Sequence, residues 1–84
     1  YPNPFNPSTR ITFELPRAAE VELTIYNLLG KRVRILISET LAAGEHNVTW
    51  QAEDKSGVPL PSGPYFYRLT TGGVSLTRKM LLLK

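Results

Sequence analysis

Few side chains in this sequence have the type and spacing that catalysis needs. His46 is the single histidine, and it follows Gly44 where a turn gives way to a strand-like segment. A histidine acting as a general base needs a nucleophile and an orienting partner, and the sequence shows neither a nucleophile elbow nor a triad motif. There is no cysteine, so thiol catalysis, cysteine-ligated metal sites and disulfides are excluded. We therefore expect no catalytic residue and interpret His46 as an exposed turn histidine.

Two adjacent carboxylates, Glu53 and Asp54, are the best candidates for a metal site. Hard cations such as Ca²⁺ bind clustered oxygen ligands, but no second or third ligand group is evident near this pair. An aspartate before Ser56-Gly57 more commonly accepts hydrogen bonds from its own turn. We therefore predict no metal and no cofactor, with a weak surface calcium site as the alternative.

Three consecutive aromatic residues, Tyr65, Phe66 and Tyr67, are candidates for a sugar-binding platform. Successive side chains of a β-strand point to opposite faces, so Phe66 lies on the other face from the two tyrosines. The three rings therefore cannot form one platform, and packing in the core accounts for them better. A carbohydrate-binding accessory module is the alternative function, with Tyr26 as the exposed aromatic residue to test.

Alternation of apolar and polar residues predicts strands along most of the chain. The short connector Pro16–Ala19 predicts a hairpin between the first two strands, and Gly72-Gly73 predicts one between the last two. The apolar run 35–37 predicts a bulge or a switch of the strand between sheets. Residues 38–43 predict a loop in which Leu41 closes the end of the core. The predicted strands lie at about 10–15, 20–26, 32–37, 47–52, 65–71 and 74–83.

Turn signals separate these strands at intervals of roughly eight to twelve residues. One of them is Asn27–Lys31, where Gly30 supplies a positive φ. This spacing predicts an all-β fold, an Ig-like antiparallel β-sandwich of about seven strands. Trp50, the only tryptophan, is the expected central anchor of the core. The predicted core comprises Phe13, Leu23, Ile25, Trp50, Tyr67 and Leu69.

Charge is distributed unevenly along the 84 residues, which carry a formal net charge of +3. Residues 1–54 contain five basic and seven acidic side chains, whereas residues 55–84 contain five basic and none acidic. A basic end could meet an acidic partner or an anionic glycolipid, although solvated strand faces explain it more simply. No motif for nucleic-acid binding occurs, and no apolar run approaches the roughly 20 residues of a transmembrane segment.

Three prolines stand within the first seven residues: Pro2, Pro4 and Pro7. Each holds φ near about −65° and removes a backbone donor, so this stretch can be neither helix nor central strand. We expect a stiff connector over residues 1–8 that follows an upstream domain, and one sandwich domain over residues 9–84. Phe5 is expected to dock on the sandwich.

Five segments, in order, carry a family resemblance: Tyr1–Thr9, Ile25–Gly30, Gly44–Trp50, Ser62–Leu69 and Lys79–Lys84. Together they closely resemble the C-terminal sorting domain of the type IX (Por) secretion system. The chain is also similar to the Ig-like domain of the flagellar hook-capping protein family. The resemblance covers essentially the whole chain.

This resemblance implies a non-catalytic module at the C-terminus of an exported protein, with any enzymatic activity in an upstream cargo domain. It implies passage through the periplasm, transport by outer-membrane secretion machinery, and a secreted or cell-surface location with possible attachment to a surface glycolipid. A purely structural module of a secreted multidomain enzyme is the alternative. The segment that the machinery would read is Lys79, Met80, Leu81, Leu82, Leu83 and Lys84.

The last predicted strand is apolar on both faces. Met80 and Leu82 are the expected inward residues, which leaves Leu81 and Leu83 on the opposite face. We expect these two leucines to contact a partner or to belong to an edge open to strand addition, with Lys79 and Lys84 as gatekeepers. The alternative is that the sandwich, or a neighbouring copy, covers both faces.

Overall fold

Two antiparallel sheets of unequal size form the computed structural model, which describes residues 9–82. The strands are β1 (Thr9–Leu15), β2 (Ala19–Tyr26), β3 (Arg32–Leu41), β4 (Gly44–Trp50), β5 (Gly63–Thr71) and β6 (Val74–Leu82). β1 and β4 make the small sheet, and the other strands make the large sheet in the order β3-β2-β5-β6. The all-β, Ig-like antiparallel sandwich is therefore confirmed, with six strands in this part of the chain rather than about seven.

The predicted connector over residues 1–8, including Phe5, lies outside the described residues, as do Leu83 and Lys84. Within residues 9–82, no helix is long and apolar enough to cross a membrane.

The first two strands do not pair, so the hairpin predicted at Pro16–Ala19 is wrong. β1 pairs with β4 in the register from Thr9↔Trp50 to Leu15↔Gly44, while β2 lies between β3 and β5 in the large sheet. A short connector suits a passage between two packed sheets as well as it suits a hairpin, so its length does not decide between them. The connector therefore joins the two sheets, and the buried residues on either side of it, Leu15 and Val21, approach the core from opposite sheets.

β3 is longer and less regular than expected. It continues to Leu41, so the loop predicted over 38–43 is wrong for residues 38–41 and holds only for the two residues before β4. Leu41 packs half-buried against the core as a strand residue. The pairing moves from Leu23↔Ile37 to Thr24↔Ile35 and leaves Leu36 as an extra residue. The bulge predicted in the run 35–37 is therefore confirmed, and a second register shift follows between Ile25 and Tyr26.

The Gly72-Gly73 hairpin is confirmed. Thr71 pairs with Val74, and the two glycines between them have φ values of 55° and 81°. Positive φ at both central residues is what a two-residue type I′ turn requires, and the twist of that turn matches the twist of the flanking strands. The turn sets the register along β5 and β6, which pair without interruption from Thr71↔Val74 to Gly63↔Leu82.

Trp50 anchors the core between the two sheets at 1% exposure. Its ring meets that of Tyr65 edge to face, with 5.6 Å between the centroids, and its Nε1–H donates a 2.9 Å hydrogen bond to the carbonyl of Glu53. The Tyr65 hydroxyl in turn donates to the carbonyl of Pro61 at 2.8 Å. Both aromatic residues thus bury their rings while their polar atoms bond to the connection between β4 and β5.

The other residues chosen for the core differ in burial. Leu23 and Ile25 are fully buried with Trp50. Phe13, Tyr67 and Leu69 are only half-buried and pack around that centre. Buried residues outside the predicted set complete the core; these are Ile11, Leu15, Val21, Ile37, Ala52, Tyr65 and Leu82.

Truncating the anchor should unfold much of the population. We expect Trp50→Ala to lower the free energy of unfolding by about 3–5 kcal/mol, because a large cavity replaces the ring. Urea unfolding followed by circular dichroism measures the change, since the only tryptophan fluorophore is lost. The half-buried Leu69→Ala serves as a comparison and should cost clearly less. Equal losses would show that Trp50 is not the anchor.

Tyr65 should give the stability a dependence on alkaline pH. Burial raises the pKa of the Tyr65 hydroxyl above its ordinary value, so the unfolded chain releases this proton first as the pH rises. The stabilisation is therefore complete below about pH 10 and is lost as the pH rises through the folded-state pKa. Tyr65→Phe should cost about 1 kcal/mol at pH 7 by removing the bond to Pro61. Urea titrations at several pH values should show that the difference in free energy of unfolding between this variant and the unmodified protein becomes smaller above about pH 10. A difference that stays constant would contradict the raised pKa of Tyr65.

Candidate functional site

The histidine is a structural residue of β4 and not an exposed turn residue. His46 is half-buried, and its ring stacks on that of Phe13 with 5.5 Å between centroids. Its Nε2 lies 2.7 Å from the carbonyl oxygen of Ala42, so a ring N–H donates to the backbone. Phe13 and His46 are direct partners in the β1–β4 register, which places both rings on the inner face. The partners of this ring are an aromatic ring and a backbone carbonyl, an arrangement that orders the strand pair.

The carboxylate pair also has a structural role. The Oδ1 atom of Asp54 accepts hydrogen bonds from the backbone N–H groups of Ser56 at 2.8 Å and Val58 at 3.0 Å. This confirms the turn-capping interpretation. Among the described residues, no group of three or more histidine and carboxylate side chains comes together in a way that could hold a metal ion.

The aromatic residues of β5 lie on opposite faces of the sheet as predicted, and the ring of Tyr26 from β2 lies beside Phe66. Tyr65 faces the core, and Phe66 lies on the outer face of the large sheet, directly opposite Tyr26 in the β2–β5 register. The Arg68 guanidinium lies 5.2 Å from the centroid of the Tyr26 ring, a cation–π contact. The pairing of two distant strands creates this arrangement, so no local sequence signal reveals it.

The C-terminal segment is divided between core and surface within β6. Leu82 is 3% exposed and Met80 is half-buried, so both lie inward. Leu81 lies on the outer face and is 62% exposed, next to Pro64 in the β5–β6 register, and Lys79 is exposed opposite Phe66. The first four residues of the segment Lys79–Lys84 therefore alternate between the core and the exposed outer face.

Exposed and half-buried apolar residues of the β2–β3 turn, β2, β5 and β6 lie near one end of the large sheet. Leu28 and Leu29, in the turn after β2, are 63% and 92% exposed and line a shallow depression of about 230 Å³ together with Pro64. The registers Tyr26↔Phe66 and Pro64↔Leu81 add the neighbouring side chains. We call this surface the outer patch and define it as Tyr26, Leu28, Leu29, Pro64, Phe66 and Leu81. Sequence reasoning singled out Leu81 and Tyr26 separately and missed that they belong to one surface.

β6 also presents an open strand edge. Among the described strands it pairs only with β5, and its nine residue pairs run without a register shift. Its inner-face residues Val74 and Leu76 are 66% and 44% exposed, because the small sheet does not cover them. The charged residues of β5 and β6, namely Arg68, Arg78 and Lys79, are all positive. A regular edge with apolar side chains and positive charge is suited to the addition of an extended segment.

Among the solved structures that resemble this fold are one of FlgD and one of PorU. FlgD from P. aeruginosa matches with a TM-score of 0.69 and 24% sequence identity, over 90% of this chain and 60% of that chain. Dimeric latent PorU from Porphyromonas gingivalis matches with a TM-score of 0.73 and 21% identity, over 99% of this chain and 9% of that chain. At these identities the likeness shows the fold alone, and the chain spans less than two thirds of either protein.

No curated protein sequence matches the chain at a significant level. A family match extends over residues 3–73 and therefore ends just before β6 begins. Because this match covers most of the 84 residues, the chain belongs to the FlgD Ig-like domain family.

Proposed function

We propose that this domain is a non-catalytic C-terminal module that directs an upstream cargo domain of the same chain across the outer membrane by type IX secretion. Its location would be secreted or at the cell surface, after passage through the periplasm. The observation that carries the proposal is the outer patch next to the open edge of β6, at the C-terminal end of the sandwich. The FlgD Ig-like domain family is non-catalytic, and the five ordered segments of the sequence resemble the sorting domain.

The exposure of the outer patch argues for a partner. Leu28, Leu29 and Leu81 all expose more than half of their side chains, although a small sandwich gains stability only from the apolar surface that it buries. Burial of these side chains in a complex would contribute about 25 cal/mol per Å². Large contiguous apolar patches mark interaction sites. The outer-membrane secretion machinery is the partner that the proposal assigns to this surface.

Lys79 and the β6 edge supply the second part of the surface. A strand added along β6 would gain backbone hydrogen bonds, and its side chains would contact the outer patch on one side and Val74 and Leu76 on the other. The positive charges of β5 and β6 favour an acidic segment and oppose pairing of the same edge with a second copy.

A carbohydrate-binding accessory module is the second candidate, and the Tyr26–Phe66 pair favours it. Two half-exposed rings side by side, with Arg68 above one of them, provide faces on which sugar rings can stack. An attached surface glycolipid would also present sugars to this face.

The decisive experiment substitutes one exposed residue of the outer patch. A reporter protein is fused upstream of this domain and expressed in a host with type IX secretion, and the surface fraction is measured by protease accessibility of whole cells. Leu81→Glu should strand the reporter in the periplasm, because it places a carboxylate within the apolar contact. A full deletion of Lys79–Lys84 is a poorer test, since it also removes Leu82 from the core.

The matched control is Val58→Glu, which changes an apolar residue of 54% exposure in the β4–β5 connection. Both variants must show the unfolding midpoint of the parent domain. Surface delivery should persist in the control at about the parental level. Delivery by the Leu81→Glu fusion at that same level would show that the outer patch is not read by the export machinery.

The accessory-module candidate has its own test. Retention of the purified domain on insoluble polysaccharides should fall to the level of an unrelated protein on Tyr26→Ala if the ring pair binds sugar. Leu29→Ala, at 92% exposure in the adjacent turn, is the control. Absence of retention by the parent domain on every polysaccharide tried would remove this candidate and leave the secretion proposal unaffected.

A further inference from the structure

The turn between β2 and β3 is held by one side chain. The Oδ1 atom of Asn27 accepts hydrogen bonds from the backbone N–H groups of Leu29 at 3.0 Å and Lys31 at 2.9 Å. The Asn27 N–H donates to the carbonyl of Lys31, and the N–H of Gly30 donates to the carbonyl of Asn27, both at 2.9 Å. Gly30 has a φ of 85°, as the sequence predicted, which only glycine adopts without strain. These bonds fix the position of Lys31.

The turn from Asp54 to Val58 repeats this construction. Asp54 Oδ1 accepts from the N–H groups two and four residues later, and Gly57, with a φ of 84°, occupies the same place as the glycine of the first turn. The backbone bonds also match: Asp54 N–H donates to Val58 O, and Gly57 N–H donates to Asp54 O. Lys55 is therefore carried by a second rigid turn.

The two turns and the edge of β3 border a cleft of about 690 Å³, which we call the basic cleft. Its apolar lining comes from Val33, Ile35 and Leu60. Among the described strands, β3 pairs only with β2, so part of its backbone faces away from any of them. Four cationic residues line the cleft, and these are Lys31, Arg32, Arg34 and Lys55.

Arg34 is the most constrained of these cations. It lies on the same face of the large sheet as the buried Ile25, its partner in β2, and it is half-buried. Its Nη1 donates a 3.1 Å hydrogen bond to the carbonyl of Asp54 in the second turn. A guanidinium has five N–H donors, so this bond positions the group while other donors still point to solvent. A positioned guanidinium is well suited to bind an oxyanion through two parallel bonds.

The cationic residues that line the basic cleft outnumber the carboxylates. Among the described residues, Asp54 is the one carboxylate of the lining, and its Oδ1 atom accepts two backbone N–H groups. Within residues 9–82, none of the four cations forms an ion pair with a carboxylate. Positive charges that lie close together around a concave surface repel one another, and an anion bound between them would relieve that repulsion.

We propose that the basic cleft binds a phosphate group, carried on a sugar or a lipid whose apolar part lies against Val33 and Leu60. A phosphate has oxygens in several directions and can accept bonds from cations on both turns and on β3, whereas a carboxylate is satisfied by one bidentate partner. The cleft shares a turn with the outer patch but none of the side chains that define it. This inference therefore stands independently of the secretion proposal.

A titration of the ¹⁵N-labelled domain with inorganic phosphate tests the site. Backbone amide shifts should saturate at residues 31–35 and 54–56 and stay small on β6. The double variant Lys31→Gln/Lys55→Gln should weaken binding by at least about tenfold, because two charge-assisted contacts are lost. Both lysines are exposed, so the fold should be retained, and the dispersion of the amide spectrum verifies this.

The control is Arg78→Gln/Lys79→Gln, which removes the same charge from β6 and should change the affinity by less than about twofold. A parallel arm measures co-sedimentation with phosphatidylglycerol vesicles. If the domain binds only the vesicles, and the Lys31→Gln/Lys55→Gln variant weakens this binding, the ligand is a lipid headgroup. If the domain binds only free phosphate, and this binding saturates, the ligand is a soluble phosphorylated molecule. Equal weakening by both double variants, or binding in neither arm, would overturn the proposal.

Discussion

Two strands must cover the inner face of four strands in this sandwich, and the cover is incomplete. Trp50 compensates at the centre, where its ring and that of Tyr65 fill the space between the sheets. Towards the Gly72-Gly73 end of β6 none of the described residues fills the corresponding space, so Val74 and Leu76 face inward yet remain exposed. The same mismatch explains why Tyr67 and Leu69, on the inner face of β5, are only half-buried.

This partial cover gives β6 two roles along its length. Near its end the strand contributes Leu82 to the core, and one residue earlier it presents Leu81 to solvent on the outer face. Such alternation means that a partner can contact the outer leucine without disturbing the core. Because Leu82 holds the end of β6 in the core, it also fixes the position of Leu81. Any recognition of this strand would therefore depend on the stability of the sandwich.

The local features of the fold could be predicted from the sequence. Alternation located the strands and assigned Leu23, Ile25 and Trp50 to the inner face, and glycine positions located the turns at Gly30 and Gly72-Gly73. These features depend on neighbouring residues, whose φ preferences and two-residue period act locally. The extension of β3 was missed because its last residues are polar on both faces, and a strand edge over solvent needs no apolar alternation.

Pairing between distant strands was the part that the sequence did not reveal. The β1–β4 pair and the Tyr26–Phe66 pair both depend on the arrangement of strands within sheets, which arises from tertiary packing. The outer patch is a consequence of such pairing, since it combines the β2–β3 turn, β5 and β6. A composition count along the chain cannot find a surface of this kind.

The distribution of charge along the sequence also does not show which charged residues lie together in the fold. Counted along the sequence, the positive charge belongs to residues 55–84, and the preceding part is net acidic. In the fold, Lys55 joins Lys31, Arg32 and Arg34 from the acidic part, while Arg78 and Lys79 lie on β6. The molecule thus has two positive surfaces with different surroundings, one concave and rigid, the other a strand edge beside exposed leucines. Because a Debye length at physiological salt is only about 8 Å, exposed charges further apart than this act nearly independently. A small anion and an extended acidic segment would therefore select different surfaces of this domain.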